Sequence, residues 1–575
     1  MCCLEECGSG EGWNMKMTAR PWLSYYPKEI SPELAYDRRP LFDYLKEAAE
    51  KHPDKVAIHF LGEELPYKQI YGDALKLAQQ LAELGLKKGD RMAIMLPNSP
   101  QSVIAYYAIL MLGGIVVQIN PLYVERELEH QLNDSGAKMI ICLDQLYARV
   151  AHIKEKTVLE QIIVTGIQDY LPFSKDILYT GVSQAEMPMK RDFEELTRVR
   201  VFKELLKQGQ SSLPPVEISP EEDLALLQYT GGTTGQAKGA MLTHRNLIAN
   251  TEQCQQWLYS HNYGEEVILG ALPFFHVYGM TMVMNLGIMQ LSKIVILPKF
   301  EAEEVLETIA SQRPTFYPGS PTMYTALLNH PKVANYDLSS IKTCLSGSAP
   351  LLMEVQQQFE QLSGGKLVEG YGLTEASPVT HCNLISGERV RGSIGLPYPD
   401  TEARIISLET GEEAEVGDVG ELIVKGPQVM KGYWNRPDET EKVLKDGWLY
   451  TGDMGYVDER GYFYIVDRKK DLILAGGFNI YPREIEEVLC DHPQVKEAAV
   501  IGIADDYRGE TVKAFVVLMD DQILEEDELD RHCRKHLAAM KVPRIYEVRH
   551  ALPKTSIGKI LKRELLVEEQ RGHLS

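Results

Sequence analysis

The run Tyr229-Thr230-Gly231-Gly232-Thr233-Thr234-Gly235-Gln236-Ala237-Lys238-Gly239 gathers glycines, threonines and one lysine into a single short stretch. Glycine lets successive backbone N–H groups turn inward, the hydroxyls add donors, and Lys238 adds positive charge, so the loop can cradle a polyphosphate. A flexible Gly/Thr turn is the plainer reading, but a mere turn does not need this density of donors. Lys238 is followed by Gly239 rather than by Ser or Thr, which disfavours the Walker loop of kinases and GTPases. A second run, Glu369-Gly370-Tyr371-Gly372-Leu373-Thr374-Glu375, sets a tyrosine between glycines, where no neighbouring side chain obstructs the ring face and Tyr371 can lie on a purine. Thr374 can donate to a phosphate, and the Glu375 carboxylate suits the hard Mg²⁺ that nucleotides bring, with Thr233 of the loop as a second candidate ligand. A lone Thr-Glu pair is usually a helix cap. The glycine frame and the phosphate loop upstream favour the nucleotide reading.

Other segments are ambiguous one by one. The aromatics around His276 in Leu272-Pro273-Phe274-Phe275-His276-Val277-Tyr278-Gly279 read locally as core packing, Asp453 in Thr451-Gly452-Asp453 as a turn aspartate, and Lys559 in Leu552-Pro553-Lys554-Thr555-Ser556-Ile557-Gly558-Lys559 as a solvated lysine. Together with the phosphate loop they stand in the order found in the adenylate-forming superfamily of acyl-CoA synthetases, peptide-synthetase adenylation domains and luciferases. The chain resembles that superfamily from about Leu41 to Leu565. The stretch from Asp446 to Asp471 resembles the signature of fatty acyl-CoA synthetases. Ile119 to Tyr123, Arg126 to Gly136 and Gly392 to Pro397 resemble bacterial long-chain fatty acid–CoA ligases.

The resemblance implies a role for each matched position. Tyr229, Thr230, Gly231, Gly232, Thr233, Thr234, Gly235 and Lys238 would hold the phosphates of ATP; Gly347, Ser348 and Ala349 would pack on adenine, with Tyr371 stacked on it. Asp453 would accept both ribose hydroxyls, since a carboxylate suits a vicinal diol, and Arg468 would also reach the ribose. His276 would lie beside the acyl carboxylate, and Lys559 would bridge that carboxylate and the α-phosphate beside Thr374. Gly476 and Gly477 would let the backbone approach the pantetheine of coenzyme A. The implied activity is ATP-dependent ligation of a fatty acid, long-chain preferred, to coenzyme A through an acyl-adenylate, with a turn of the C-terminal domain at Asp467 to Lys470 between the two steps. Delivery of the acyl group to a carrier protein, a silent acyl- or nucleotide-binding protein, and luciferase-type oxygenation are the alternatives. The absence of a carrier domain in this sequence, and the presence of Lys559 and Glu375, weigh against the first two.

These residues must be carried by an α/β architecture. From about Tyr36 to Asp134 amphipathic helical patterns (Leu41 to His52, Ile70 to Leu86) alternate with β-rich runs such as Val56 to Ile58 and Met92 to Met95, as in a sheet covered by helices on its faces. The apolar stretch Val103 to Val117 is short for a span of about 20 residues. It predicts a buried helix that turns at Gly113 and Gly114 into a strand over Ile115 to Ile119. Pro188 to Glu222 is polar and charge-mixed and reads as surface elaboration or a linker. From Ile394 to Val466 short runs between Gly and Pro turns predict a small β-rich subdomain. Taken with the resemblance, these patterns imply a leader over 1–30, a large adenylating domain over 31–467 and a small mobile α/β domain over 468–575.

Composition narrows the class. At 575 residues the chain is too long for one core. The formal charge of −22 repels nucleic acid and anionic lipid over long range, so anionic substrates must be held by local donors. The cysteines lack metal-type spacing; Cys2, Cys3 and Cys7 crowd the first positions, and the rest read as reduced buried thiols of a cytoplasmic protein. A long-chain substrate is compatible with transient contact with a membrane, peripheral on its inner face, and a homodimer is compatible with these features. Met1 to Trp13 has three acids and no basic residue or apolar core, unlike a signal peptide. Its Glu11-Gly12-Trp13 back-translates to a purine-rich string shortly before the Met15 codon, so translation is expected to begin at Met15 or Met17.

Overall fold

The computed structural model describes residues 20–171, 199–210, 212–213, 215–230, 237–475, 478–505, 508–519, 522, 526–555 and 559–572. The expected start at Met15 or Met17 lies outside them.

The buried helix expected after Val103 spans Pro100–Met111, with Ser99 as its N-cap, a reciprocal Ser99–Ser102 capping box and Pro100 in the first turn, where a missing N–H costs nothing. Every residue of it is buried, as an all-round apolar helix must be. It ends before Gly113, whose φ of 66° lies in the left-handed region, and the chain returns as the strand Ile115–Gln118. Among the described residues no helix is long and apolar enough to cross a membrane.

Among the described residues that strand sits inside an eight-stranded sheet. Its parallel part runs through Leu224–Thr230, Ile115–Gln118, Arg91–Met95, Met139–Leu143, Gln161–Thr165 and Val199–Val201; Lys238–Thr243 and then Gly432–Tyr433 are added antiparallel at one side. Both faces are covered, so its strands are apolar at consecutive positions. Met92 and Ile94 join a core that also contains Val103 to Leu110 and residues Ile58, Ile268 and Ile294 of the second sheet, while Ala93 and Met95 join a separate core on the other face. The second sheet has nine strands. Lys366–Gly372, Thr343–Ser346, Phe316–Gly319, Val267–Gly270, Lys293–Ile296 and Val56–Phe60 run parallel, with Val379–Cys382, Leu396–Pro397 and Glu63–Pro66 antiparallel at the rims.

The β-rich subdomain is a five-stranded antiparallel sheet of Glu402–Ile406, Gly420–Lys425, Trp448–Val457, Leu444–Lys445 and Phe463–Arg468. The small C-terminal domain is a further five-stranded sheet around the long hairpin Val495–Asp505 and Gly509–Leu518. Helices Pro482–Cys490 and Glu526–His536 bury Ile485, Leu489, Leu529 and Cys533 on one of its faces, and Leu565 of Lys562–Gly572 packs on the other. One segment differs from expectation. Within the stretch read as surface elaboration or a linker, Val199–Val201 is an edge strand and Phe202–Gln208 a helix that buries Phe202 and Leu205. Four apolar residues in a polar context suffice there because they complete an existing sheet edge.

Candidate functional site

The site gathers at the carboxyl ends of the parallel strands, where α/β sheets leave a crevice. Of the phosphate loop, Gly231, Gly232, Thr233, Thr234 and Gly235 lie outside the described residues, as do Gly476 and Gly477. The loop's two flanks are paired strands, with Thr230 opposite Lys238. The Tyr229 hydroxyl donates to Asp134 Oδ2 at 2.7 Å, and its ring lies so close to Gly239 that a Cβ there would come within 3.1 Å of it. The Tyr229 side chain therefore holds the base of the loop. Arg436 pairs with the other oxygen of Asp134 at 2.6 Å, and Trp434 Nε1 donates to the Asp134 carbonyl at 3.1 Å. The Lys238 ammonium pairs with the Glu439 carboxylate and lies 5.1 Å from the centroid of the Tyr433 ring.

The strand Lys366–Gly372 carries Tyr371 beyond the parallel core into antiparallel pairing with Val379–Cys382. A side chain at Gly372 would collide with the Pro378 carbonyl, 2.1 Å from the Cβ position, so this close approach requires glycine. The Tyr371 hydroxyl donates to Asp453 Oδ2 at 2.6 Å, and Arg468 Nε meets Asp453 Oδ1 at 2.6 Å. Asp453 and Arg468 face each other across the Trp448–Val457 and Phe463–Arg468 ladder, which is why residues separated by a loop converge. Burial, reinforced by Asp453, raises the Tyr371 phenol well above its usual range, while Asp453 raises the Arg468 guanidinium. Gly347, Ser348 and Ala349 follow the strand Thr343–Ser346, with Ser348 at φ 75°; a Cβ on Gly347 would meet the Tyr278 ring at 3.1 Å.

Lys559 comes from the C-terminal domain into this network. Its side chain is exposed to solvent, and Arg468, then desolvation, push its ammonium down to about 8, against the pull of Asp453. Glu369 lies within electrostatic reach of Arg483 from the same domain; burial pushes its carboxyl up to about 7 while Arg483 pulls it down. Arg483 also holds the two parts together, its backbone N–H donating to Asp467 Oδ2 at 2.7 Å and its Nη1 to the Ile465 carbonyl at 2.8 Å.

His276 stands on the other side, and Gln228 Nε2 donates to the adjoining Phe275 carbonyl at 3.0 Å. The His276 Nδ1 accepts the Tyr278 N–H at 3.2 Å, which leaves the ring proton on Nε2. Desolvation, then the nearby Lys559, lowers its pKa to about 4, so the imidazole is neutral at pH 7. Beyond it the chain forms a buried π-helix, Met280–Asn285, rich in methionine. Its Thr281 hydroxyl donates to the Ser377 carbonyl at 2.8 Å, tying this wall to the turn Thr374–Ala376.

Thr374 and Glu375 occupy that 3₁₀ turn, and Thr374 caps no helix. Glu375 Oε1 accepts the Tyr433 hydroxyl at 2.6 Å. Among the described residues its other oxygen has no hydrogen-bond donor, and no group of three His, Cys, Asp or Glu stands together as a metal cage. A single open carboxylate fits Mg²⁺, which keeps waters and substrate phosphates in its shell and takes one or two protein carboxylates. Sequence reasoning missed Asp134, Tyr433, Trp434, Arg436 and Glu439. The aromatic-basic run Gly432-Tyr433-Trp434-Asn435-Arg436 was the available signal.

Two largely parallel sheets, an Asp–Arg–Tyr network near their strand ends and a small C-terminal domain that brings Lys559 within electrostatic reach of it make up a two-part α/β enzyme. The chain belongs to the AMP-binding enzyme family: the family model matches residues 45–434, and that of the AMP-binding enzyme C-terminal domain matches residues 484–559. It is 54% identical to a long-chain-fatty-acid–CoA ligase of Bacillus subtilis (strain 168) over 96% of this chain and 99% of that one. It is 41% identical to the Salmonella typhimurium protein of the same description, over 96% and 98%. Among solved structures, ATP-bound MatB from Rhodopseudomonas palustris superposes with a TM-score of 0.81 at 30% identity, covering 92% of this chain and 98% of that one.

Proposed function

We infer that the chain is a long-chain fatty acid–CoA ligase that consumes ATP and releases AMP and pyrophosphate. The observation that carries the mechanism is the entry of Lys559 into the Asp453–Arg468–Tyr371 network within electrostatic reach of His276. In the first half-reaction a carboxylate oxygen of the acid bonds to the α-phosphorus of ATP and the bond to pyrophosphate breaks. His276 donates its Nε2 proton in a hydrogen bond to the carboxylate without adding charge. Lys559 and Thr374 face the α-phosphate, where preorganised donors are worth most as charge grows. Asp453 holds the ribose and Tyr371 stacks on adenine beside Gly347, Ser348 and Ala349; Thr230 and Lys238 flank the phosphates. Mg²⁺ held by Glu375 would neutralise phosphate charge when bound. In the second half-reaction the sulfur of coenzyme A bonds to the acyl carbon, the acyl C–O bond breaks, AMP departs and the thiol proton passes to solvent. The domain beginning at Arg468 turns about Lys470 to withdraw Lys559 and bring Gly476 and Gly477 to the acyl-adenylate.

A panel of saturated fatty acids with ATP and coenzyme A tests the substrate. The kcat/KM for thioester formation is expected to peak at long chains, and a peak at short or aromatic acids would overturn the assignment.

A further inference from the structure

Tyr433 stands where two parts of the ATP site, distant in sequence, meet. Its hydroxyl reaches Glu375 Oε1 at 2.6 Å, while the cation of Lys238, from the far flank of the phosphate loop, lies 5.1 Å from its ring centroid. The residue is fixed from three sides. Gly432–Tyr433 pairs with Lys238–Thr243 as an edge strand, and the Tyr433 N–H donates to Thr440 Oγ1 at 2.9 Å. Thr440 belongs to the helix Pro437–Val443, which also carries Glu439, the ion-pair partner of Lys238. Tyr433 is 8% exposed, so its ring has little room to swing.

A glutamate on a short turn has several rotamers, and ordering it on nucleotide binding costs entropy. A buried phenol that already hydrogen-bonds one carboxylate oxygen removes that cost and leaves the second oxygen free. We propose that Tyr433 is a positioning residue for adenylation: it aims Glu375 at the cation of Mg·ATP and keeps the phosphate-loop lysine in register with it. The inference rests on Glu375 being the magnesium carboxylate.

The test is calorimetric binding of a non-hydrolysable ATP analogue to the full chain, with Mg²⁺ and with EDTA, for wild type, Tyr433→Phe and Glu375→Gln. The first substitution removes one oxygen and keeps the ring, so folding should persist; the thermal midpoint checks it. Tyr433→Phe is expected to weaken binding about tenfold in Mg²⁺, as for loss of a hydrogen bond to a charged group, and to leave binding in EDTA unchanged. The Mg²⁺ concentration for half-maximal pyrophosphate exchange should rise while KM for the fatty acid stays constant. Equal weakening with and without Mg²⁺, or no weakening at all, overturns the positioning role if Glu375→Gln abolishes the magnesium dependence. Should Glu375→Gln keep that dependence, the magnesium reading of Glu375 fails and this inference with it.

Discussion

The proposed acyl end and the proposed nucleotide end of this site are built in opposite ways. The acyl end is local: His276, Phe274, Tyr278 and the π-helix Met280–Asn285 follow one another in the chain, Phe274, Tyr278 and the whole π-helix are buried, and the histidine is neutral because its surroundings desolvate it. The proposed nucleotide end is assembled from Tyr371, Asp453, Arg468 and Lys559, brought together by sheet pairing and by the contact between two domains, and its polar and charged groups act on one another. Groups that follow one another in one segment need no second domain to stay together. Under the proposed two-step reaction, a network made by two domains is the part that can be taken apart between steps.

The largest effect should come from the part contributed by the C-terminal domain. Lys559→Ala is expected to lower pyrophosphate exchange by about 10²–10³-fold, the scale of losing one preorganised transition-state donor, with folding nearly unchanged. Wild-type exchange in this variant would mean that the nucleotide end works without its second domain. Next, Lys470→Pro fixes φ and removes an N–H in the turn after Phe463–Arg468. Exchange should persist within about tenfold, while transfer of preformed acyl-adenylate to coenzyme A falls by more than about 10²-fold, at least about 2.7 kcal/mol in transition-state terms. Equal slowing of both steps would place the pivot elsewhere.

The smallest effect is in pH dependence, and it separates the two causes of the lowered pKa values. Lys559 titrates at about 8 in the folded protein against 10.5 for an ordinary lysine, chiefly because of Arg468. Its ammonium is thus lost as pH rises through about 8, and kcat/KM for ATP in pyrophosphate exchange should fall there. Stability moves the other way: the unfolded chain binds the extra proton between about 8 and 10.5, so this group's contribution is full above 10.5 and gone below about 8. Arg468→Gln removes the leading cause, and the alkaline limb should shift upward. At the acyl end burial is the leading cause, so Lys559→Ala should move the His276 pKa, followed by NMR, only slightly above about 4. A large rise would show that charge, not desolvation, governs that end as well.

Much of this was legible in the chain. The all-apolar run from Val103, ended by two glycines, prescribes a buried helix followed by a strand, and Pro100–Met111 with Ile115–Gln118 follow. The glycines around Tyr371 read as leaving its ring face open; that Gly372 is also needed for close approach to the Pro378 carbonyl came only from the structure. Contacts between distant residues were not legible. Tyr371 read as a purine platform, but its hydroxyl bond to Asp453 spans 82 residues, and the Tyr229–Asp134 bond spans 95. Such pairs depend on strand order, which no local pattern specifies. Val199–Val201 escaped for a related reason: a short edge strand has too few apolar positions to show a period, and only its partner Gln161–Thr165 makes it a strand.

The π-helix beside His276 also bears on how such a gene can change. A π turn holds about one residue more than the α turn it replaces. Loss of a single codon between 280 and 285 would restore α spacing there and leave Leu286–Met289 in phase, because the extra residue is taken up within the π turn itself. One small deletion would then remake the segment beside His276 while the helix that follows keeps its facing. The buried surface next to the histidine is thus open to change by codon loss as well as by substitution, with the ATP machinery inherited intact.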